Sequence, residues 1–285
     1  MLTPILATIS SFVDQLGSAV IKKTENDVYY PASIWGAALV STASGSVIIF
    51  AYVLLKSNLY LDPAKIWLFF PRIGLEIFQI YVTFTALKIS DLSSYNFLRV
   101  FSIIFVIIFE FLFLNTLLTP LKYLGILTVF LSILIVFRHG VKNIAGWGFL
   151  LASAVNGGLL MALTKYQFSF NDAYLNEAIV RIFLIVLLAG FVLFNFKGTP
   201  VNPAPPFLKH NKTLWLLIPI RAVVGILNLV ALNLGAAAVY TTADRAGSVL
   251  SGVALGHSMF NEKSLVEKLF IASGITTGLV LLILG

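Results

Sequence analysis

Ten apolar stretches, each about long enough to cross a lipid bilayer, take up nearly all of this 285-residue chain. A helix needs about 20 mainly apolar residues to pass through about 30 Å of hydrocarbon. Segments 4–21, 32–55, 64–87, 93–114, 119–137, 145–164, 173–196, 212–233, 236–260 and 265–284 meet that requirement. Most connections between them are short. The longest, "KGTPVNPAPPFLKHNK" at 197–212, carries prolines that block regular structure. No stretch is left over for a soluble domain. The predicted fold class is an all-α membrane protein of ten transmembrane helices.

Charge usage agrees. Only 11% of residues are charged and 59% are hydrophobic, whereas a soluble domain carries about 25% charged residues. So few charges cannot cover a water-facing surface. The net charge of +7 comes from Lys and Arg scattered between apolar runs. Nucleic-acid binding needs them clustered on one face, so nucleic acid is excluded as a partner and the basic residues are read as flanking membrane spans. The absence of cysteine removes disulfides, thiolate metal sites and Cys nucleophiles. The opening "MLTPILATISSFVDQLGSAVIKK" has no basic leader and no small-residue cleavage site, and reads as a first span that is retained.

The chain also resembles itself. "NDVY" at 26–29 returns as "NDAY" at 171–174, an offset of 145 residues. At the same offset "ALKISDLSSY" (86–95) falls on "ALNLGAAAVY" (231–240), and Tyr95 falls on Tyr240. With one residue of slip, "FLNTLLTPLK" meets "MFNEKSLVEK" at 259–268. Five spans thus map onto five. Because five is odd, the second copy enters the membrane from the opposite side. This is an inverted repeat of residues 1–140 and 141–285, the architecture of secondary transporters that bind substrate near the midplane.

Several stretches carry a family resemblance. An Arg early in span 3, an "AL" near its end and a Thr-Pro opening span 5, all within 71–140, resemble the drug/metabolite transporter superfamily. So do "ALNLGAAAVYTTADRAG" at the entry to span 9 and "FNE" at 260–262. The chain resembles a ten-span EamA-type member, and its spans 3–5 are most similar to the S-adenosylmethionine-transporting branch. The resemblance implies the fold, alternating-access transport, a central cavity lined by spans 4 and 9, and cytoplasmic termini. Two departures stand out. Asn115 and Thr116 occupy the turn after span 4 where Glu is usual, and "RVFSIIFV" lacks the proline common in mid-span 4. The basic residues give the opposite orientation. Lys56, Lys65, Lys122 and Lys165 fall on one side. Lys22, Lys23, Lys88, Arg138, Lys142, Lys197, Lys209, Lys212, Lys263 and Lys268 fall on the other, which would place the termini outside.

The informative residues are charges within spans, each costing at least about 2.5–3.5 kcal/mol at mid-bilayer unless it faces protein or water. Asp14 is the coupling-ion candidate. It is placed to carry a proton or pair with a cation, or else to line a vestibule. Arg72 and Glu76 share a helix face, either as an ion pair or with Arg72 free to meet an anion, and Gln79 extends that face. Arg99, after Tyr95 and Asn96, maps onto Asp244, which Arg245 follows and Tyr240 precedes. These residues read either as substrate contacts or as an Arg99–Asp244 bridge locking one state. Arg221 maps onto Glu76, and Asn228 and Asn156 are further cavity candidates or helix–helix hydrogen bonds. Glu177 and Arg181 read as an ion pair, and Glu110 as interfacial.

No paired-carboxylate, metal-ligand or nucleophile–base motif is visible, so catalysis, a metal and a cofactor are not expected. The leading expectation is a secondary transporter of a small polar metabolite, amino-acid-like, nucleoside-like or S-adenosylmethionine-like. The alternatives are a multidrug or cationic-compound exporter of the same fold, and a channel or scramblase. The expected partners are a small-molecule substrate and the lipid bilayer, for a monomer or homodimer in a cell membrane, bacterial inner or plasma.

Overall fold

The computed structural model describes residues 2–25, 32–56, 59–89, 95–96, 99–115, 117–140, 147–196, 217–260 and 265–285. Among them the secondary structure is helical throughout, with no strand. Ten α-helices follow in order: α1 (Leu2–Glu25), α2 (Ala32–Leu55), α3 (Phe69–Ile89), α4 (Ser102–Leu114), α5 (Pro120–Gly140), α6 (Trp147–Phe168), α7 (Ala173–Phe196), α8 (Leu217–Leu234), α9 (Ala237–Phe260) and α10 (Leu265–Leu284). Each falls on one of the ten apolar stretches. A 3₁₀ turn at Pro63–Leu68 leads into α3.

The helix ends follow local chemistry. Asp62 accepts from the Ala64 amide at 3.0 Å, ahead of Pro63 at the first position of the turn. Asp172 caps α7 by accepting from Tyr174 and Leu175 N–H at 3.0 and 3.2 Å. Its neighbour Asn171 accepts from the Asp62 amide at 2.9 Å. The NDAY repeat is therefore a helix-capping turn, while NDVY lies outside the described residues. Asn115 ends α4 in the left-handed region at φ 51°, which Asn tolerates better than most residues.

Among the described residues four segments are long and apolar enough to cross a membrane: Ala38–Leu55, Pro63–Ala86, Trp147–Phe168 and Ala173–Phe194. Helix α1 has two distinct faces. Leu2, Ile5, Ile9, Phe12 and Leu16 form an exposed stripe at three- and four-residue spacing, while Ser10, Ser11, Gln15 and Ser18 are buried. The helix is amphipathic with its polar side inward, the reverse of a helix on a water-soluble protein.

Helix α9 differs from α1 in being enclosed on nearly every side. Almost every residue from Ala237 to Val253 is buried, so its small and polar side chains meet protein. It packs on α1, α4 and α10, and its Ala243, Ala246 and Val249 join Ile103, Val106, Val129 and Ile275 in the largest core cluster. Gly247 makes room for Ser11 and Gly252 for Asn96, as the small-residue spacing of α9 predicts.

Packing is exchanged between the two halves of the chain. Helix α1 lies against α8 and α9, and α6 lies against α3 and α4. Helix α2 pairs with α7, and α5 with α10. The last pair approaches at Gly125 and Gly278, where a methyl group on either would sit 2.9 or 2.8 Å from the other's carbonyl oxygen.

Candidate functional site

Two groups of charged side chains lie inside the bundle. The first joins α3, α6 and α7. Arg72 is 1% exposed. It donates through Nη1 to Gln167 Oε1 at 2.9 Å, and its Nη2 is ion-paired with Glu177 Oε2. The other Glu177 oxygen accepts Arg181 Nε at 3.0 Å, as the four-residue spacing predicts. Gln167 also donates to the Leu68 carbonyl at 3.1 Å and accepts from Asn176 at 3.2 Å. Arg72 does not pair with Glu76, contrary to one reading of their spacing. It reaches across to α7 because Glu177 serves two guanidiniums at once. Glu76 stays within electrostatic range of Arg72, Glu177 and Arg181. Two arginines therefore face two carboxylates, and the group carries no net charge.

The second group joins α1, α4, α8 and α9. Asp14 is ion-paired with Arg221 Nη1. Gly17, one turn after Asp14, accommodates that guanidinium: a methyl group there would lie 3.2 Å from Arg221 Cζ. Asp244 Oδ2 pairs with Arg245 Nη1 at 3.0 Å, and Arg245 Nε donates to Ser102 Oγ at 3.1 Å. Asp244 is therefore not bridged to Arg99, because its own neighbour takes it. Arg99 lies over the Tyr95 ring, 5.2 Å from guanidinium carbon to centroid. It is within electrostatic range of Asp244, Asp14 and Tyr240. Arg99 has no hydrogen bond or ion pair among the described residues. Arg99, Arg221 and Arg245 thus face two carboxylates, Asp14 and Asp244, leaving one positive charge in excess.

Tyr95 and Tyr240 are both buried, Tyr95 just ahead of α4 and Tyr240 on α9. Asn96 makes a reciprocal amide pair with Gln15, at 2.8 and 3.2 Å. Gln79 and Asn156 also serve helix packing. Asn156 Nδ2 donates to Gln79 Oε1 at 2.8 Å and to the Leu75 carbonyl at 2.9 Å, while Gln79 Nε2 donates to Ser153 at 2.7 Å. Asn228 Oδ1, Thr241 Oγ1 and the Nε atoms of Arg72 and Arg221 are buried without a hydrogen-bond partner among the described residues.

Sequence reasoning passed over Gln15, Ser11 and Gln167. Ser11 Oγ donates to the Asp244 carbonyl at 2.6 Å and lies 2.7 Å from Ser248 Oγ. The signal for Gln15 and Ser11 was present: both share a mid-span helix with Asp14, where each polar side chain requires a partner.

Glu110 and Lys165 have protein partners. Glu110, read as interfacial, is enclosed by protein at 3% exposure. Its two oxygens accept the Ala237 and Ala238 amides at 2.7 Å each, capping the start of α9 from α4. Lys165 belongs to α6 and donates to the Leu232 and Asn233 carbonyls at 2.8 and 3.0 Å, capping the end of α8. Both placements suit the helix dipole. Lys165 is thus a structural base and not a free loop charge.

Comparison with known proteins adds the fold alone. No family model and no curated protein matches the chain. A solved structure described only as the crystal structure of a protein superposes with a TM-score of 0.70. The match spans 98% of this chain and 94% of that one at 17% identity.

Proposed function

We propose that this chain is a multi-pass secondary transporter that moves a small polar metabolite by alternating access. Its ten helices form two inverted five-helix repeats, 1–140 and 141–285, in a cell membrane. The observation that carries this reading is the second charged group. Its residues come from α1, α4, α8 and α9, so both halves build it, inside a bundle whose outward faces are apolar. Ionised groups in a membrane interior mark substrate or ion pathways by default. The exchanged packing supports the repeat: mapping α1 to α6, α3 to α8 and α4 to α9 turns the α1 contacts into the α6 contacts.

The Asp14–Arg221 pair bears on the alternatives. A carboxylate already matched by a guanidinium favours a cationic drug less than a solitary Asp14 would. A transported ion could still compete with Arg221 for it, so Asp14 stays the coupling-ion candidate. Counterflow tests the reading. The purified chain in lipid vesicles is loaded with unlabelled metabolite and given labelled metabolite outside. A carrier shows saturable uptake accelerated by the internal pool. Leak without acceleration would move the reading to a channel or scramblase.

A further inference from the structure

We infer that the cargo bears a carboxylate or a phosphate group, and that Arg99 is the side chain that receives it. This rests on the carrier reading and narrows its substrate class.

The two charged groups are built from the same residue types, but they differ in one respect. Every guanidinium of the α3–α6–α7 group has a carboxylate partner. In the α1–α4–α8–α9 group, Arg221 is matched by Asp14 and Arg245 by Asp244 and Ser102. Among the described residues Arg99 is left with only an aromatic face. A ring holds a guanidinium over its face by cation–π attraction and uses none of its N–H donors. The fork of Arg99 therefore stays pre-positioned and unsatisfied. A planar fork of this kind matches a carboxylate or phosphate bidentately. The excess of one positive charge means that a monoanionic group would bring the site to neutrality. A cationic cargo would instead raise the charge of a site that is already positive. The position of Arg99 opposite Asp244, in the other half of the chain, puts the bound group where both repeats meet.

The test uses the full chain in detergent, with melting temperature read against succinate, inorganic phosphate, L-alanine, uridine and choline. The inference expects a rise with at least one of succinate, phosphate and L-alanine, and none with uridine or choline. Succinate or L-alanine against phosphate separates the two anion chemistries. The rise disappears in Arg99→Gln. Arg99→Lys keeps a reduced rise, since an ammonium retains charge but loses the fork. Tyr95→Phe keeps it, since the ring remains. If Arg99→Gln does not fold, Arg99→Lys alone decides, because an undiminished rise there would remove the bidentate contact. A rise with choline or uridine that persists in Arg99→Gln overturns the inference and leaves a carrier of another class. A rise with anions that is not followed by counterflow of the same anion in vesicles overturns the carrier reading itself. A melt that no probe moves overturns the inference.

Discussion

The two charged groups in this bundle use the same materials to opposite ends. Around Glu177, two arginines share one carboxylate, a second carboxylate stands nearby, and amides of α6 and α7 fill much of the remaining hydrogen-bonding capacity. There each guanidinium has a carboxylate partner. Around Arg99, two ion pairs are closed and a third cation has only a ring to lie on. That group is complete only with something added. Burial alone does not separate structure from function here, since Arg72 is the most enclosed arginine and serves packing. The better guide is whether each charge is already answered.

Removing the shared carboxylate gives the largest effect. Glu177→Gln leaves Arg72 and Arg181 without it, and breaking a buried pair costs about 3–5 kcal/mol. The melting temperature in detergent should fall sharply, and a small change would mean that the two groups are not built differently. Asp14→Asn comes next, at about 1.5–3 kcal/mol for a lost hydrogen bond between charges. Its cost lies at the lower end because Asp14 is 26% exposed. The double exchange Asp14→Arg with Arg221→Asp should recover part of the stability if the pair is structural. Gln79→Ala leaves Ser153 without its partner and Asn156 with the Leu75 carbonyl alone, and should lower stability by about 1–2 kcal/mol, with transport of the bound metabolite retained. Arg99→Gln gives up, among the described residues, only the cation–π contact with the Tyr95 ring and should lower stability by about 0.5–1 kcal/mol, while abolishing binding. A loss of stability as large as that of Glu177→Gln would erase the distinction drawn here. Lys56→Ala serves as the surface reference. Its pair with Asp172, at 3.4 Å and partly exposed, should leave the melt nearly unchanged when it is lost, because solvent screens surface pairs.

The helices were legible from sequence because lipid imposes a length on every crossing segment, and that length survives any rotation of the helix. Partners were less legible, for the same reason. Arg72 and Glu76 satisfy the four-residue rule, yet Arg72 turns to Glu177, over a hundred positions away, because the packing of α3 on α6 and α7 decides where its side chain points. The repeat offset pairs Arg99 with Asp244, and the two lie within electrostatic range of each other. What the repeat could not show is that Arg245, one residue further on, would claim Asp244 first. Glu177–Arg181 was readable because both residues sit on one helix and no neighbour outcompetes them. Gln15 was missed because a neutral amide draws less notice than the aspartate beside it, although in hydrocarbon its need for a partner is nearly as strict.

The turn between α8 and α9 has a mechanical consequence. By chain connectivity it belongs to the second half, but its two ends are gripped by Glu110 of α4 and Lys165 of α6, one from each half. Spreading α4 from α6 would strip two amides on one side or two carbonyls on the other, all within a few residues. Parting the two helices there would therefore uncover polar backbone, which costs more than parting apolar faces.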